Sequence, residues 1–171
     1  MSRFFPHPAY AEDQPLYHTI LTVHVLTRAV TAGSIVGAGV FGARDIYQRL
    51  RSRPPPAVPR AQLLLRSAGV GSAVAVGLLS IGLVGRMWGR EEIEWRDRSW
   101  RLLENKGQLE TDDWTYGGAL VGLGAAAVLT KGGLAGLGLK GVVGAAGTGT
   151  VAGTVGYMIW RYGVHKGKFP S

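Results

Sequence analysis

Residues 141–160, GVVGAAGTGTVAGTVGYMIW, decide how this chain is read. No charge interrupts the stretch. Gly141, Ala145, Gly149 and Gly153 recur at every fourth position, and Gly144, Thr148, Ala152 and Gly156 do the same beside them. Positions i and i+4 share a helix face, so the spacing predicts two adjacent stripes of small residues. Twenty residues rising about 1.5 Å each reach about 30 Å, the thickness of a bilayer's hydrocarbon core. In water each interior glycine would cost a helix about 1 kcal/mol relative to alanine. In lipid the backbone must satisfy its own hydrogen bonds, and a face of small residues lets a second helix approach closely. The stretch therefore reads as a packed transmembrane helix. Its stripe through Gly144 and Gly156 is expected to face outward to another subunit.

Three further apolar blocks supply partners. Residues 17–43 form the first, with Ala29, Gly33 and Gly37 on one face. Their uncharged part begins only at Ala29, so spanning requires His18, His24 and Arg28 to be included, with Arg28 against protein or reaching to headgroups. Residues 67–85 carry Gly69, Ala73 and Gly77 at the same spacing, and residues 114–130 carry Gly118, Gly122, Ala126 and Thr130. The expected fold is all-α: an integral bundle of four transmembrane helices at about 17–43, 67–85, 114–130 and 141–160, closed by small-xxx-small packing. The glycines expected at helix contacts are Gly33, Gly37, Gly69, Gly77, Gly118, Gly122, Gly141, Gly149 and Gly153.

The connections differ sharply from the spans. Residues 1–16 contain Pro6, Pro8 and Pro15 and read as irregular. They lack the apolar core of a secretory signal and the acid-poor, Arg-rich character of a mitochondrial presequence, so any organelle address is expected to be internal. Residues 44–66 hold Arg44, Arg49, Arg51, Arg53, Arg60 and Arg66 against Asp45 alone, and a proline run at 54–56 favours an extended path. The raw Lys/Arg count does not decide orientation, but by density of arginine this loop is expected on the matrix or cytoplasmic side. Residues 131–140, KGGLAGLGLK, read as a short hairpin, and residues 164–171 as a basic tail. Residues 88–105 mix both charge signs around Trp88, Trp95 and Leu102, seven apart. They predict an amphipathic helix lying on the membrane or a partner, with Glu94/Arg98 and Asp97/Arg101 as i,i+4 pairs.

The whole chain of 171 residues suggests one domain. Its net charge of +8 would point to nucleic acid in a soluble protein. Here the arginines flank apolar blocks, which fits lipid headgroups instead. The absence of cysteine excludes disulfides, thiolate metal sites and cysteine nucleophiles. Two GxGxxG strings, at Gly37, Gly39, Gly42 and at Gly136, Gly138, Gly141, lack the preceding strand that a dinucleotide site needs. Glu91/Glu92 read as a solvated face and Asp112/Asp113 as a helix N-terminal cap. His24 and Arg28, one turn apart with Thr27 and Thr31 alongside, would bind a lipid phosphate or a neighbouring carboxylate; the sharper alternative is a proton or substrate path. Arg49, Arg51, Arg53, Trp88 and Trp95 are expected at lipid or partner contacts. No enzyme activity, cofactor or metal is implied.

The four glycine-striped blocks, with HVLTRA at 24–29 and GSIVGAGVFG at 33–42, resemble the small accessory subunits of the membrane arm of mitochondrial respiratory complex I, fungal ones in particular. The chain is also similar to the four-span channel components of inner-membrane protein translocases. The long mixed-charge segment at 86–113 departs from the compact translocase pattern. The accessory-subunit resemblance implies a multi-pass protein of the mitochondrial inner membrane. Its implied role in NADH:ubiquinone oxidoreductase is non-catalytic: it holds neighbouring membrane-arm subunits and phospholipid headgroups, cardiolipin among the candidates.

Overall fold

A computed structural model describes residues 2–169. Residue 1 of the expected N-terminal segment and residues 170–171 of the expected tail lie outside the described residues. Helix accounts for 82% of the described residues and there is no strand among them, so neither GxGxxG string has a strand before it. One lies inside the first helix and the other inside the last.

Five α-helices follow two short 3₁₀ turns at Ser2–Phe4 and Ala11–Asp13: α1 Tyr17–Leu50, α2 Arg60–Met87, α3 Glu92–Glu104, α4 Lys106–Leu129 and α5 Gly133–Met158. A π-helical turn, Ile159–Val164, continues α5. Three stretches, Tyr17–Leu50, Arg60–Met87 and Gly133–Val164, are long and apolar enough to cross a membrane. α1 runs past its expected end at residue 43 because nothing between Arg44 and Leu50 breaks a helix; it ends at Leu50, with Arg51 as its cap and Ser52 at a φ of 48° before the proline run. α2 starts one residue after Pro59, which has no N–H to lose to an outside partner.

Three expected boundaries are corrected. α4 begins at Lys106, not 114: Asn105 breaks the chain direction and its Oδ1 accepts the Gln108 N–H at 3.1 Å. This capping contact is what starts the helix there. The surface helix is shorter than 88–105, since Trp88 is extended and Gly89 turns with a φ of 67° before α3 starts. The expected hairpin at 131–140 is mostly helix. The turn is confined to 130–132, and α5 absorbs a kink at Gly138, whose φ of 67° and ψ of 171° lie where only glycine sits without strain.

Backbone contacts fix the arrangement. Gly33 faces Gly71 and Gly37 faces Ser67, so α1 and α2 are antiparallel. Gly118 faces Gly149 and Gly122 faces Ala145, so α4 and α5 are antiparallel too. The Gln62 amide reaches the Gly136 carbonyl at 3.1 Å, Gly69 faces Gly144, and Ser72 lies by Gly147, so α2 and α5 run the same way. The order is α1–α2–α5–α4, with α5 also touching α1. A methyl group added at Gly33, Gly37, Gly69, Gly118, Gly122, Gly149 or Gly153 would collide with a neighbouring helix backbone.

Two of the singled-out glycines do not have a neighbouring helix backbone as their nearest contact. Nothing lies near Gly77, and Gly141 is covered by Leu137 of its own helix. A four-residue step turns about 400°, so a four-spaced stripe drifts by about 40° per step. Two steps from Gly69 carry Gly77 well off the contact, and the Gly138 kink folds Leu137 over Gly141. The stripe expected to face outward is also split: Gly144 packs against Leu65 and Gly69 inside the chain, while Gly156 lies under the Trp114 ring.

Candidate functional site

The charged groups of α4 gather at the end of the bundle that holds Ser2, Arg3 and Phe169. Glu110, Asp112 and Asp113 belong to its second turn, past the position of a cap, which corrects the reading of Asp112/Asp113 as an N-terminal cap. Their helical phase sends them in different directions. Asp112 points inward and is 2% exposed. One of its oxygens accepts from Arg28 Nη2 at 2.5 Å and from Gln108 Nε2 at 3.0 Å; the other accepts from the Ser2 hydroxyl. Asp113 faces out and pairs with Arg3 at 2.5 Å. Glu110 lies 3.6 Å from the buried Arg161 and accepts from the Tyr157 hydroxyl at 3.2 Å, and the Arg161 guanidinium stacks 3.4 Å from the centre of the Phe169 ring. The N-terminal segment, α1, α4 and the π-turn thus converge on three carboxylates of one helix.

A line of buried and half-buried hydroxyls runs from this network into the bundle. Thr27 meets the Tyr116 hydroxyl at 2.8 Å, Thr31 donates to Thr150 at 3.0 Å, and Ser34 meets Ser72 at 2.8 Å. Thr115 and Thr154 pair at 3.1 Å on the α4–α5 side. Several of these hydroxyls also bond a carbonyl one turn back, such as Thr27 to Val23 and Ser72 to Ala68. The centre is filled: a methyl group on Gly147 would strike the Ser34 hydroxyl.

α3 docks on the same end. Trp100 Nε1 donates to the Pro8 carbonyl at 2.9 Å, His7 meets Glu104 at 2.8 Å, and His18 packs on the Trp95 ring. Glu92 accepts from the Tyr17 hydroxyl at 2.5 Å and from Arg96 at 2.6 Å. The Tyr17 hydrogen bond first, and the Arg96 guanidinium second, hold the Glu92 carboxyl below the usual glutamate range. Asp97 and Arg101 pair at 2.9 Å, but Glu94 takes Arg90 at 3.3 Å instead of Arg98.

The other singled-out residues are scattered. His24 is half-buried one turn below Arg28, with its Nδ1 unpartnered. Arg49 pairs with Asp45 at 2.7 Å, Arg51 lies over the Tyr47 ring, and Arg53 is exposed. Trp88 is exposed in the turn before α3, and Trp95 is half-buried. Ser2, Gln108, Glu110, Tyr116 and Arg161 were not singled out by sequence reasoning, and Asp112 was read only as a cap. A polar residue three places after Asn105 was the available signal for α4's start, and that start sets the phase of its acids.

Two long grooves mark the outer surface. One, about 700 Å³, runs along α4 and α5 past Trp114 and Val121; the other, about 460 Å³, runs along α1 and α2. No three His, Asp or Glu side chains converge as a metal site among the described residues.

No family model matches the chain, and no curated protein or solved structure is detectably similar to it. Its multi-pass membrane character therefore stands on its three long apolar helices.

Proposed function

We propose that this chain is a four-span protein of the mitochondrial inner membrane and a non-catalytic accessory subunit of the respiratory complex I membrane arm. The observation that carries this reading is a division of surfaces. The buried Asp112 and half-buried Glu110 face arginines of the same chain, whereas large apolar side chains stand exposed along the helices, among them Val36, Leu78, Leu120 and Val128. Gly39, Gly42, Gly77, Gly82, Gly117 and Gly124 also face open space, so close approach by further helices is possible there. Such a molecule offers a partner shape and apolar area rather than reactive groups.

α4 is the fourth span in this reading. Its first two turns are charged, and its apolar part begins at Trp114, beside Trp160 with ring centres 5.8 Å apart. Tyr157 stands at the same level. Aromatic rings of this kind mark a membrane–water interface, and the 16 residues from Trp114 to Leu129 reach about 24 Å. α5 shelters the glycine face of α4, so that helix does not need to be strongly apolar all round. The choice of complex rests on the resemblance of residues 24–29 and 33–42.

The test is a digitonin native gel with mass spectrometry of co-migrating chains. Migration within a large respiratory assembly is expected; a small independent species would overturn the accessory-subunit reading. A transporter or translocase would instead use the hydroxyl line from Thr27 to Ser34, which the contact of Gly147 with Ser34 obstructs. Loss of transport with normal assembly in Arg28→Gln would favour that alternative.

A further inference from the structure

We infer that the groove between α1 and α2 seats an acyl chain of an anionic phospholipid, with Arg44 at its mouth meeting the phosphate. The proposal rests on the bundle being membrane-embedded. The groove is almost wholly apolar, with Val36, Val40, Val70, Val74 and Leu78 along its walls. At one end it runs into a smaller pocket of about 270 Å³, which shares Val40 and Ser67 and adds Arg44, Asp45 and Gln48. Asp45 is already committed to Arg49 and Arg60, at 2.7 and 2.9 Å. Arg44 is exposed and forms no ion pair among the described residues, and the same holds for Arg51 and Arg53 beyond it. The mouth therefore carries a positive excess that an anionic headgroup complements.

The reach of the groove favours a lipid over a further helix. From Ser67 to Leu79 it follows α2 for about 18 Å, close to one leaflet of hydrocarbon, and it ends there. A spanning partner helix would need contact through both leaflets. The glycines inside the groove are also used up: Gly33 and Gly37 are filled by Gly71 and Ser67, which leaves valine side chains, not bare backbone, facing outward.

The full chain, purified in a neutral detergent, is incubated with phosphatidylglycerol or phosphatidylcholine of identical acyl chains, and retained lipid is measured by native mass spectrometry. The wild type should retain phosphatidylglycerol preferentially. Arg44→Gln should lower that retention about fivefold, the worth of one basic residue at an anionic surface. Val74→Trp should lower retention by filling the groove with the charge intact, while Arg86→Gln, at the opposite end of α2, should not. Both test side chains are exposed, and circular dichroism confirms helicity. Equal retention of the two lipids, or wild-type retention in Arg44→Gln or Val74→Trp, would overturn the seat. So would a dimer that Val74→Trp abolishes while lipid retention is unchanged, because a second copy would then fill the groove. Alkaline carbonate extraction tests embedding separately: release of the chain would remove the premise itself.

Discussion

Arg28 and Asp112, 84 positions apart, meet through Nη2 and Oδ1 at 2.5 Å, with the Asp112 side chain 2% exposed and that of Arg28 27% exposed. The contact joins α1 to α4, two helices that otherwise approach each other through α5 and through the hydrogen bond of Thr27 with Tyr116. It fixes their register at the end of the bundle where the N-terminal segment also arrives, since Ser2 bonds the second Asp112 oxygen.

Removing one partner leaves the other charge buried without compensation, which costs about 3–5 kcal/mol in enclosed pairs. The partial exposure of Arg28 sets the expectation at the lower end, about 3 kcal/mol for Asp112→Asn. Replacing both by apolar residues, Arg28→Met with Asp112→Leu, should recover most of that loss. Thermal unfolding in detergent measures both. A single variant as stable as the wild type would show the pair to be incidental.

The α4–α5 crossing is sensitive at particular glycines. Gly149 lies against the Gly118 carbonyl, so a side chain there can be admitted only by moving the two helices apart. Gly149→Leu should therefore destabilise by about 3 kcal/mol, the upper end for overpacking, and weaken assembly. Gly117→Leu, one residue from Gly118 but facing open space, should stay within about 0.5 kcal/mol for stability of the isolated chain. A native gel then separates the two glycines: loss of a larger assembly in Gly117→Leu alone would mark α4's open face as a partner contact.

The docking of α3 should depend on acid. The Glu92 carboxyl is held below the usual glutamate value of 4.5 when it accepts from Tyr17 and Arg96. A depressed value means that its contribution is fully present above the undocked pKa and disappears as pH falls through the docked one. Acid titration followed by tryptophan fluorescence, with Trp95 and Trp100 as reporters on α3, should show α3 loosening below about pH 4.5. The decisive quantity is the difference from Glu92→Gln, which should lose the part of the acid response that belongs to this residue. Superimposable curves would show that Glu92 contributes nothing to docking.

What could be read in the chain beforehand was whatever has a period. Residues 141–160 and 67–85 lie inside helices because an uncharged run with four-spaced small residues has few other structures open to it. Gly33, Gly37, Gly69, Gly118, Gly122, Gly149 and Gly153 lie against neighbouring helix backbone, and their partners could not be read beforehand, because spacing gives a face and not a neighbour. Gly77 and Gly144 show the limit: a helix turns 3.6 residues at a time, so a four-spaced stripe leaves one contact and enters another. The ionic network was hidden for a different reason. Its phase depends on where α4 begins, and a single cap at Asn105 moves that start eight residues ahead of the apolar block. Asp112 then turns inward to Arg28, a pairing across 84 positions that no local pattern records.

Gly138 is the position where the last helix depends on its residue type. Its φ of 67° and ψ of 171° fall in a region that a side chain makes costly, by about 1–3 kcal/mol. No neighbour crowds the site, so the cost is conformational rather than steric packing. The kink lets the chain leave the turn at 130–132, cover Gly141 with Leu137, and still bring Gly144 against Leu65 and Gly149 against Gly118. Gly138→Ala should therefore destabilise by about 1–3 kcal/mol in thermal unfolding and raise hydrogen exchange in residues 133–140 before it affects 145–156. Gly124→Ala, at an open position in regular helix, should instead be neutral or slightly stabilising, because alanine loses less freedom than glycine on folding. Equal effects of the two substitutions would mean that α5 runs straight through residue 138.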